Sequence, residues 1–227
     1  MTQTDQIYAQ LRQAILTLEL PPGSPMTERE LESEFGASRT PVRAALLRLD
    51  TEGLVRRQGR GFIVAPLDLD EIGMLAELRE AIETAAVRLA VARASDDDIA
   101  ALRQLIEDER SSSEADRVLN ASSAFHAQLT QLSGNTLMAE TIGGAMARLA
   151  RTRWLETQSS QSRENAWREH LEMIEAIEAR DADRAAELAG AHIRGTSQRL
   201  VALLNDERRR LRGAGMAIVG SDAASGS

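Results

Sequence analysis

Apolar side chains recur at helical spacing through the first part of the chain, and then the spacing changes. Ile7, Leu11, Ile15 and Leu18 form a stripe that predicts a first helix, closed by the turn Pro21-Pro22-Gly23. Thr27 and Glu30 fit a capping box at the start of a second, short helix whose buried side is Leu31 and Phe35 and whose end lies near Gly36. Val42, Ala45, Leu46 and Leu49 follow at i, i+3, i+4 and i+7, which buries one face of a third helix. Ser38 or Thr40 can cap that helix, and Pro41 costs little in a first turn whose N–H groups lack helical partners. Gly53 suits a helix C-terminus. Beyond it, two β-like runs, Leu54-Val55-Arg56-Arg57 and Gly61-Phe62-Ile63-Val64, are joined by Gln58-Gly59-Arg60. Helix, helix, turn, helix and hairpin in that order predict a winged helix-turn-helix.

From residue 68 to about 205 no strand pattern stands out. Helical stretches are predicted over 71–94, 96–110, 114–133, 136–157, 163–180 and 183–205, with Ser95 to Asp98 a further capping box. Long helices on short connections imply an antiparallel bundle, with a central cavity as its usual ligand site. Gly143-Gly144 is expected to bend or thin the fourth of these helices, or to reflect close packing or tolerance. The fold class is therefore mostly α: a winged helix-turn-helix over 1–66, an all-helical antiparallel bundle domain over 67–207, and a Gly, Ala and Ser rich tail over 208–227 expected to be disordered. Ala65-Pro66-Leu67 reads as a short linker.

Charge sharpens the first domain. Between Gly36 and Gly61 six arginines (39, 43, 48, 56, 57, 60) face Asp50 and Glu52, a local balance of +4 in a chain of net −8. Such a local reversal of sign is what a phosphate-binding surface requires. Arg39 and Arg43, one turn apart beside the buried stripe, are placed to read base edges, while Arg57, Gln58, Gly59 and Arg60 at the hairpin tip suit backbone or minor groove. Cysteine is absent, which removes disulfides and thiolate metal sites. No signal peptide or long apolar run is present, so a soluble, cytoplasmic protein without a membrane partner is expected. All 27 basic residues are arginine, a bias that fits genome composition better than mechanism.

The run ERELESEFGASRTPVRAALLRLDTEGLVRRQGRGFIV, residues 28–64, resembles the DNA-binding signature of GntR-family bacterial transcription regulators. That resemblance implies a DNA contact from Arg29, whose other reading is a surface pair with Glu30 or Glu32, and it extends the interface to Ser38 and Thr40. The chain's three histidines, His126, His170 and His192, stand on three different predicted helices in SSAFHAQLTQLSGN, WREHLEMIEAIEARDADRA and AELAGAHI. These segments are similar to the FCD effector domain of FadR-like members, in which three histidines and an aspartate hold a divalent metal of the zinc, nickel or manganese class. Here the aspartate position is Ser122, whose neutral hydroxyl is a poor ligand, so the ion is weakened, leans on water or effector, or is absent. Arg79 matches an arginine that takes an effector carboxylate in relatives; its alternative is a salt bridge to Glu83. Arg148 and Arg151 are weaker effector candidates, and Trp154 and Trp167 are core or pocket wall.

The function implied is a non-enzymatic, ligand-responsive regulator: a homodimer on a roughly palindromic DNA operator, sensing a small carboxylate metabolite and acting as a repressor. A metal-dependent hydrolase would need Glu83 or Glu169 beside the histidines as acid or base. A metal-free helical interaction module would leave the basic helix and hairpin without purpose.

Overall fold

In the computed structural model of the chain, residues 1–111, 115–213 and 215–220 are described. They form two compact units, one built from residues up to 70 together with those from 204 onward, the other spanning Glu71–Leu203.

In the first unit, α1 (Gln3–Leu16) packs on α3 (Arg39–Thr51), and α2 (Glu28–Phe35) packs on α3 as well. The predicted stripe is the core: Val42, Ala45, Leu46 and Leu49 have no exposed surface, and Ile7, Leu11 and Ile15 lie against them at 2% or less. Leu18 departs from the expectation. The helix stops at Leu16, and Leu18 takes a positive φ of 61° while remaining buried, because Leu20 N–H turns back to the Ala14 carbonyl and ends the helical ladder. Thr27 and Glu30 form the reciprocal capping box, and Gly36 ends α2 in the left-handed conformation at φ 56°. Ser38 occupies the N-cap of α3 without making a side-chain cap bond, which settles the start of the helix at Arg39.

The hairpin is β2 (Val55–Gln58) antiparallel to β3 (Gly61–Val64), with Gln58 opposite Gly61, so only Gly59 and Arg60 form the tip. A third short strand, β1 (Pro25–Met26), pairs with the other edge of β3, giving the order β1-β3-β2. The predicted linker is itself paired. In β4 (Leu67–Asp68) the backbone runs parallel to β5 (Ile218–Val219), with Leu67 opposite Ile218. Ala217 adds two more bonds, its N–H to the Pro22 carbonyl at 2.7 Å and its carbonyl to Leu67 N–H at 3.0 Å. Ile218 is buried, so residues 215–220 are ordered against this unit and the expected disordered tail is corrected there. Residues 221–227 of that tail lie outside the described residues.

The second unit is a helical bundle of α4 (Leu69–Arg93), α5 (Asp96–Ser111), α6 (Ala115–Leu132), α7 (Thr136–Thr157), α8 (Ser160–Glu178) and α9 (Ala182–Gly213), of which residues 69–70 and 204–213 are counted with the first unit. Its core joins Val87 and Ala90 of α4, Leu102 and Ile106 of α5, Phe125 and Leu129 of α6, Ile174 and Ile177 of α8 and Ala189 of α9. Two ends differ from the sequence reading by more than two residues. Helix α8 begins three residues early because Ser159 caps it, accepting from Ser162 N–H at 3.3 Å. Helix α9 runs eight residues past 205, since Asp206 to Arg212 contain no helix breaker. The predicted start of α6 at Glu114 lies outside the described residues.

Helix α7 is unbroken through Gly143 and Gly144, and a Cβ at either would meet nothing within 4 Å. Tolerance, not close packing within the chain, therefore accounts for them. Gly144→Ala should raise the thermal midpoint by the equivalent of about 1 kcal/mol, the helix preference of alanine over glycine. Unchanged or lowered melting of that variant would contradict an open face at this position.

Candidate nucleic-acid interface and metal centre

All nine side chains or positions predicted to meet DNA, Arg29, Ser38, Arg39, Thr40, Arg43, Arg57, Gln58, Gly59 and Arg60, are exposed. Arg39 and Arg43 emerge from the first turns of α3 and share one carboxylate: Glu28, the first residue of α2, lies 2.5 Å from Arg39 Nε and 3.8 Å from Arg43 Nε. That carboxylate lies between the two guanidiniums, and half or more of each arginine side chain stays in solvent. The rear of α3 is tied to α1, where Glu52 accepts from Arg12 and from the Tyr8 hydroxyl and the Arg48 guanidinium lies 3.6 Å from the Tyr8 ring centroid. At the hairpin, Gly59 has φ 59°, the conformation that a two-residue turn needs at its first central position. The Arg57 guanidinium lies over the Phe62 ring at 5.5 Å, which steers it along the strand edge.

In the helical unit the three histidines converge. His126 from α6, His170 from α8 and His192 from α9 are all buried, their ring centroids are 4.7 to 5.2 Å apart, and a ligand nitrogen from each lies within 4.8 Å of the others. His170 stacks on Phe125 at 4.3 Å, so packing sets its plane. His126 Nδ1 is 2.8 Å from Glu83 Oε2, and His192 Nδ1 is 2.7 Å from Glu169 Oε2. With a hydrogen on Nδ1 donated to a carboxylate, each ring keeps its lone pair on Nε2. Burial pushes both imidazoles down, His126 well below its ordinary value and His192 to about 4, outweighing the pull of Glu83 and Glu169. Both are neutral near pH 7, the form that ligates a metal. Burial alone would raise Glu83, but the Arg79 and His126 charges and hydrogen bonds hold it far below the carboxylate range; for Glu169 burial is outweighed in the same way by His192 and Arg199, holding it down to about 2.

Arg79 joins this cluster. It is 2% exposed, its Nε donates to Glu83 Oε1 at 2.7 Å, and its Nη2 lies 3.3 Å from both ring nitrogens of His126. Of the two sequence readings of Arg79, the salt bridge to Glu83 is formed, and the same guanidinium also lies against His126. Arg148 is not brought there. It is half exposed and pairs with Glu71. Arg151 is buried, which pulls it down to about 10 against the opposing Glu71 charge, so it keeps its proton near neutrality. Trp154 is partly buried, and Trp167 packs against the bundle core beneath the Arg110 guanidinium at 4.1 Å.

Ser122 is engaged by a cation. Arg153 Nη2 donates to Ser122 Oγ at 2.5 Å and Arg153 Nη1 to Ser123 Oγ at 3.2 Å, with Arg153 itself 6% exposed. A guanidinium beside that hydroxyl disfavours a divalent cation at the same oxygen, so residue 122 is no ligand here. The donor set of three imidazoles, two with Nδ1 committed to carboxylates, fits a metal with open coordination positions. Arg153 and Arg199 escaped the sequence reading; Arg199 stands two turns beyond His192 on α9, a spacing visible in the sequence, whereas nothing local singles out Arg153. A separate cavity of about 450 Å³, lined by Ile99, Ala100, Arg103, Gln104 and Glu178 among others, holds none of the histidines.

Residues 3–64 match the model of the bacterial regulatory proteins of the gntR family, and residues 74–195 match the FCD domain. The chain belongs to the gntR family and carries an FCD domain. Among its relatives, the Nta operon transcriptional regulator of Aminobacter aminovorans is 36% identical over 76% of this chain and 82% of its own length. The HTH-type transcriptional repressor RspR of Escherichia coli K12 is 29% identical over 85% of this chain and 86% of its own. Two solved structures share the fold: E. coli McbR/YncC, with a TM-score of 0.74 and 21% identity over 89% of this chain and 99% of its own, and a putative GntR regulator from Rhodococcus sp. RHA1, with 0.75 and 20% over the same shares. The gntR-family chain is thus a bacterial transcriptional regulator and not an enzyme, and its helix-turn-helix is a DNA-binding module. Glu83 and Glu169, which a hydrolase would use as acid or base, here hold histidine Nδ1 atoms. Among the described residues no helix is long and apolar enough to cross a membrane.

Proposed function

We propose that this regulator is a ligand-responsive repressor working in the cytoplasm, that it binds a roughly palindromic operator as a homodimer, and that its helical unit senses a small carboxylate metabolite through a divalent metal on His126, His170 and His192. The convergence of three buried imidazoles beside the buried Arg79 carries this reading. One short recognition helix spans few base pairs, and a two-fold dimer doubles the contacts and fixes the half-site spacing. Support for repression comes from the relative that bears that word in its name.

Arg79 couples the two ligands. Its Nη2 faces the same His126 nitrogen that would ligate a metal, so the guanidinium must turn aside before that lone pair is available. Its Nε remains anchored on Glu83, and the displaced edge can then grip an effector carboxylate by two parallel bonds. A metal of the zinc, nickel or manganese class supplies an open position for a carboxylate oxygen. Effector and DNA then influence each other by an equal factor, typically about 1 to 3 kcal/mol.

Two measurements test this. In fluorescence anisotropy, Arg43→Ala should cost about 1 to 3 kcal/mol on operator DNA and much less on a scrambled duplex, whereas Arg60→Ala should weaken both alike and reduce the salt slope by about 1. Equal weakening of both duplexes by Arg43→Ala would remove its base-reading role. In calorimetry, chelator-treated protein should take up zinc, and a carboxylate library should bind the zinc-loaded form more tightly than the stripped form. Equal binding to both forms would favour a metal-free pocket.

A further inference from the structure

Two chains of contacts run into the histidine cluster from different sides and repeat the same chemistry. On α4 and α6, Arg79 Nε donates to Glu83 Oε1, and the other oxygen, Oε2, receives His126 Nδ1. On α8 and α9, Arg199 Nη1 donates to Glu169 Oε1 at 3.1 Å, and Oε2 receives His192 Nδ1 while also accepting from Arg199 Nη2 at 3.2 Å. Arg199 is itself fixed, by Glu156 Oε1 of α7 at 2.9 Å and by Thr196 Oγ1 at 3.0 Å. Each imidazole therefore meets one oxygen of a carboxylate whose other oxygen is held by an arginine.

We propose that Glu83 and Glu169 are positioning residues of the metal centre, with Arg199 as the anchor of Glu169. The inference rests on the metal reading above and goes beyond its three ligands. An isolated neutral imidazole divides its hydrogen between two nitrogens and rotates freely about its side-chain bonds. A carboxylate at Nδ1 selects one tautomer, stops the rotation and makes Nε2 a stronger donor. That hold on two of the rings matters in a set of three histidine donors where Ser122 hydrogen-bonds to a guanidinium. His170 is held differently, by its stack on Phe125, so the relays serve the other two rings.

Glu169 is the better target, because its side chain is about one third exposed and its replacement is compatible with folding. Full-length, chelator-treated protein would be titrated with zinc against a competing dye, and the histidine tautomers of the metal-free protein read by nitrogen-15 NMR. Glu169→Met, which keeps length and loses the acceptor, should weaken zinc by about 10- to 100-fold and release His192 from the Nδ1–H tautomer. Glu169→Gln, which keeps one acceptor oxygen, should fall between that variant and wild type. Arg199→Gln should weaken zinc less than Glu169→Met does. Glu178→Gln, which alters a surface pair with Arg103, should change neither readout. Zinc affinity within about twofold of wild type in Glu169→Met, or a weakened affinity with the His192 tautomer unchanged, overturns the positioning role. Failure of the wild type to take up zinc overturns the metal reading itself and the positioning role with it.

Discussion

Glu83→Ala should destabilise the helical unit by about 3 to 5 kcal/mol, a loss much larger than a surface ion pair can produce. Glu83 is 1% exposed and Arg79 2%, and they meet at 2.7 Å. Removing the carboxylate leaves a guanidinium enclosed beside a neutral imidazole, with its desolvation uncompensated. For a domain of this size the loss corresponds to about 6 to 20 °C in the thermal midpoint. The comparison is Glu178→Ala, which breaks the more exposed bond to Arg103 and should cost no more than about 1 kcal/mol. A second comparison isolates charge from packing. Arg79→Met combined with Glu83→Leu replaces the pair by apolar groups and should recover much of the loss. Thermal unfolding of the chelator-treated variants decides: a midpoint for Glu83→Ala close to that of Glu178→Ala would mean that the pair is not buried in solution.

His170→Ala should abolish the stabilisation that zinc gives the wild-type protein. Anything that binds only the folded state stabilises it by mass action, about 2.7 kcal/mol at a free concentration one hundred times Kd. Wild-type protein should therefore melt several degrees higher with zinc than after chelation. His170 comes from α8, with no exposed surface, and its loss leaves imidazoles from α6 and α9 alone, while the serine at 122 holds a guanidinium. Two neutral ligands hold a divalent ion weakly, so zinc affinity should fall by more than the about 100-fold at the upper end for loss of an outer carboxylate. Equal zinc-dependent shifts in wild type and His170→Ala would place the ion elsewhere.

The parts that were legible in the sequence are those whose information is local. The capping box at Thr27, the stripe from Val42 to Leu49 and the hairpin after Gly53 each lie within a few turns of chain, and each was found where expected. The three histidines were legible as a set only through family resemblance, because helices α6, α8 and α9 bring them together across the bundle. Arg79 and Glu83 were readable as neighbours at i, i+4, but not that the same carboxylate also receives His126 from another helix. Glu169 illustrates the limit further. It is adjacent to His170 in the chain, yet its partner is His192, because neighbouring helical positions point about 100° apart. The hydrogen bond between Arg153 and Ser122 links α7 to α6 and leaves no periodic signal in either.

The strand pair of Leu67 with Ile218 gives the DNA-binding unit an unusual history in time. About 150 residues separate the partners, and at typical elongation rates the ribosome needs on the order of 10 s to make them. Throughout that interval α1 to α3 and the hairpin lack this pairing, and the Pro22 carbonyl and the Leu67 amide have not yet met Ala217. The reading head is thus synthesised early and completed late, and a newly made chain passes through a stage in which its arginines have been made and the strand that pairs with Leu67 has not.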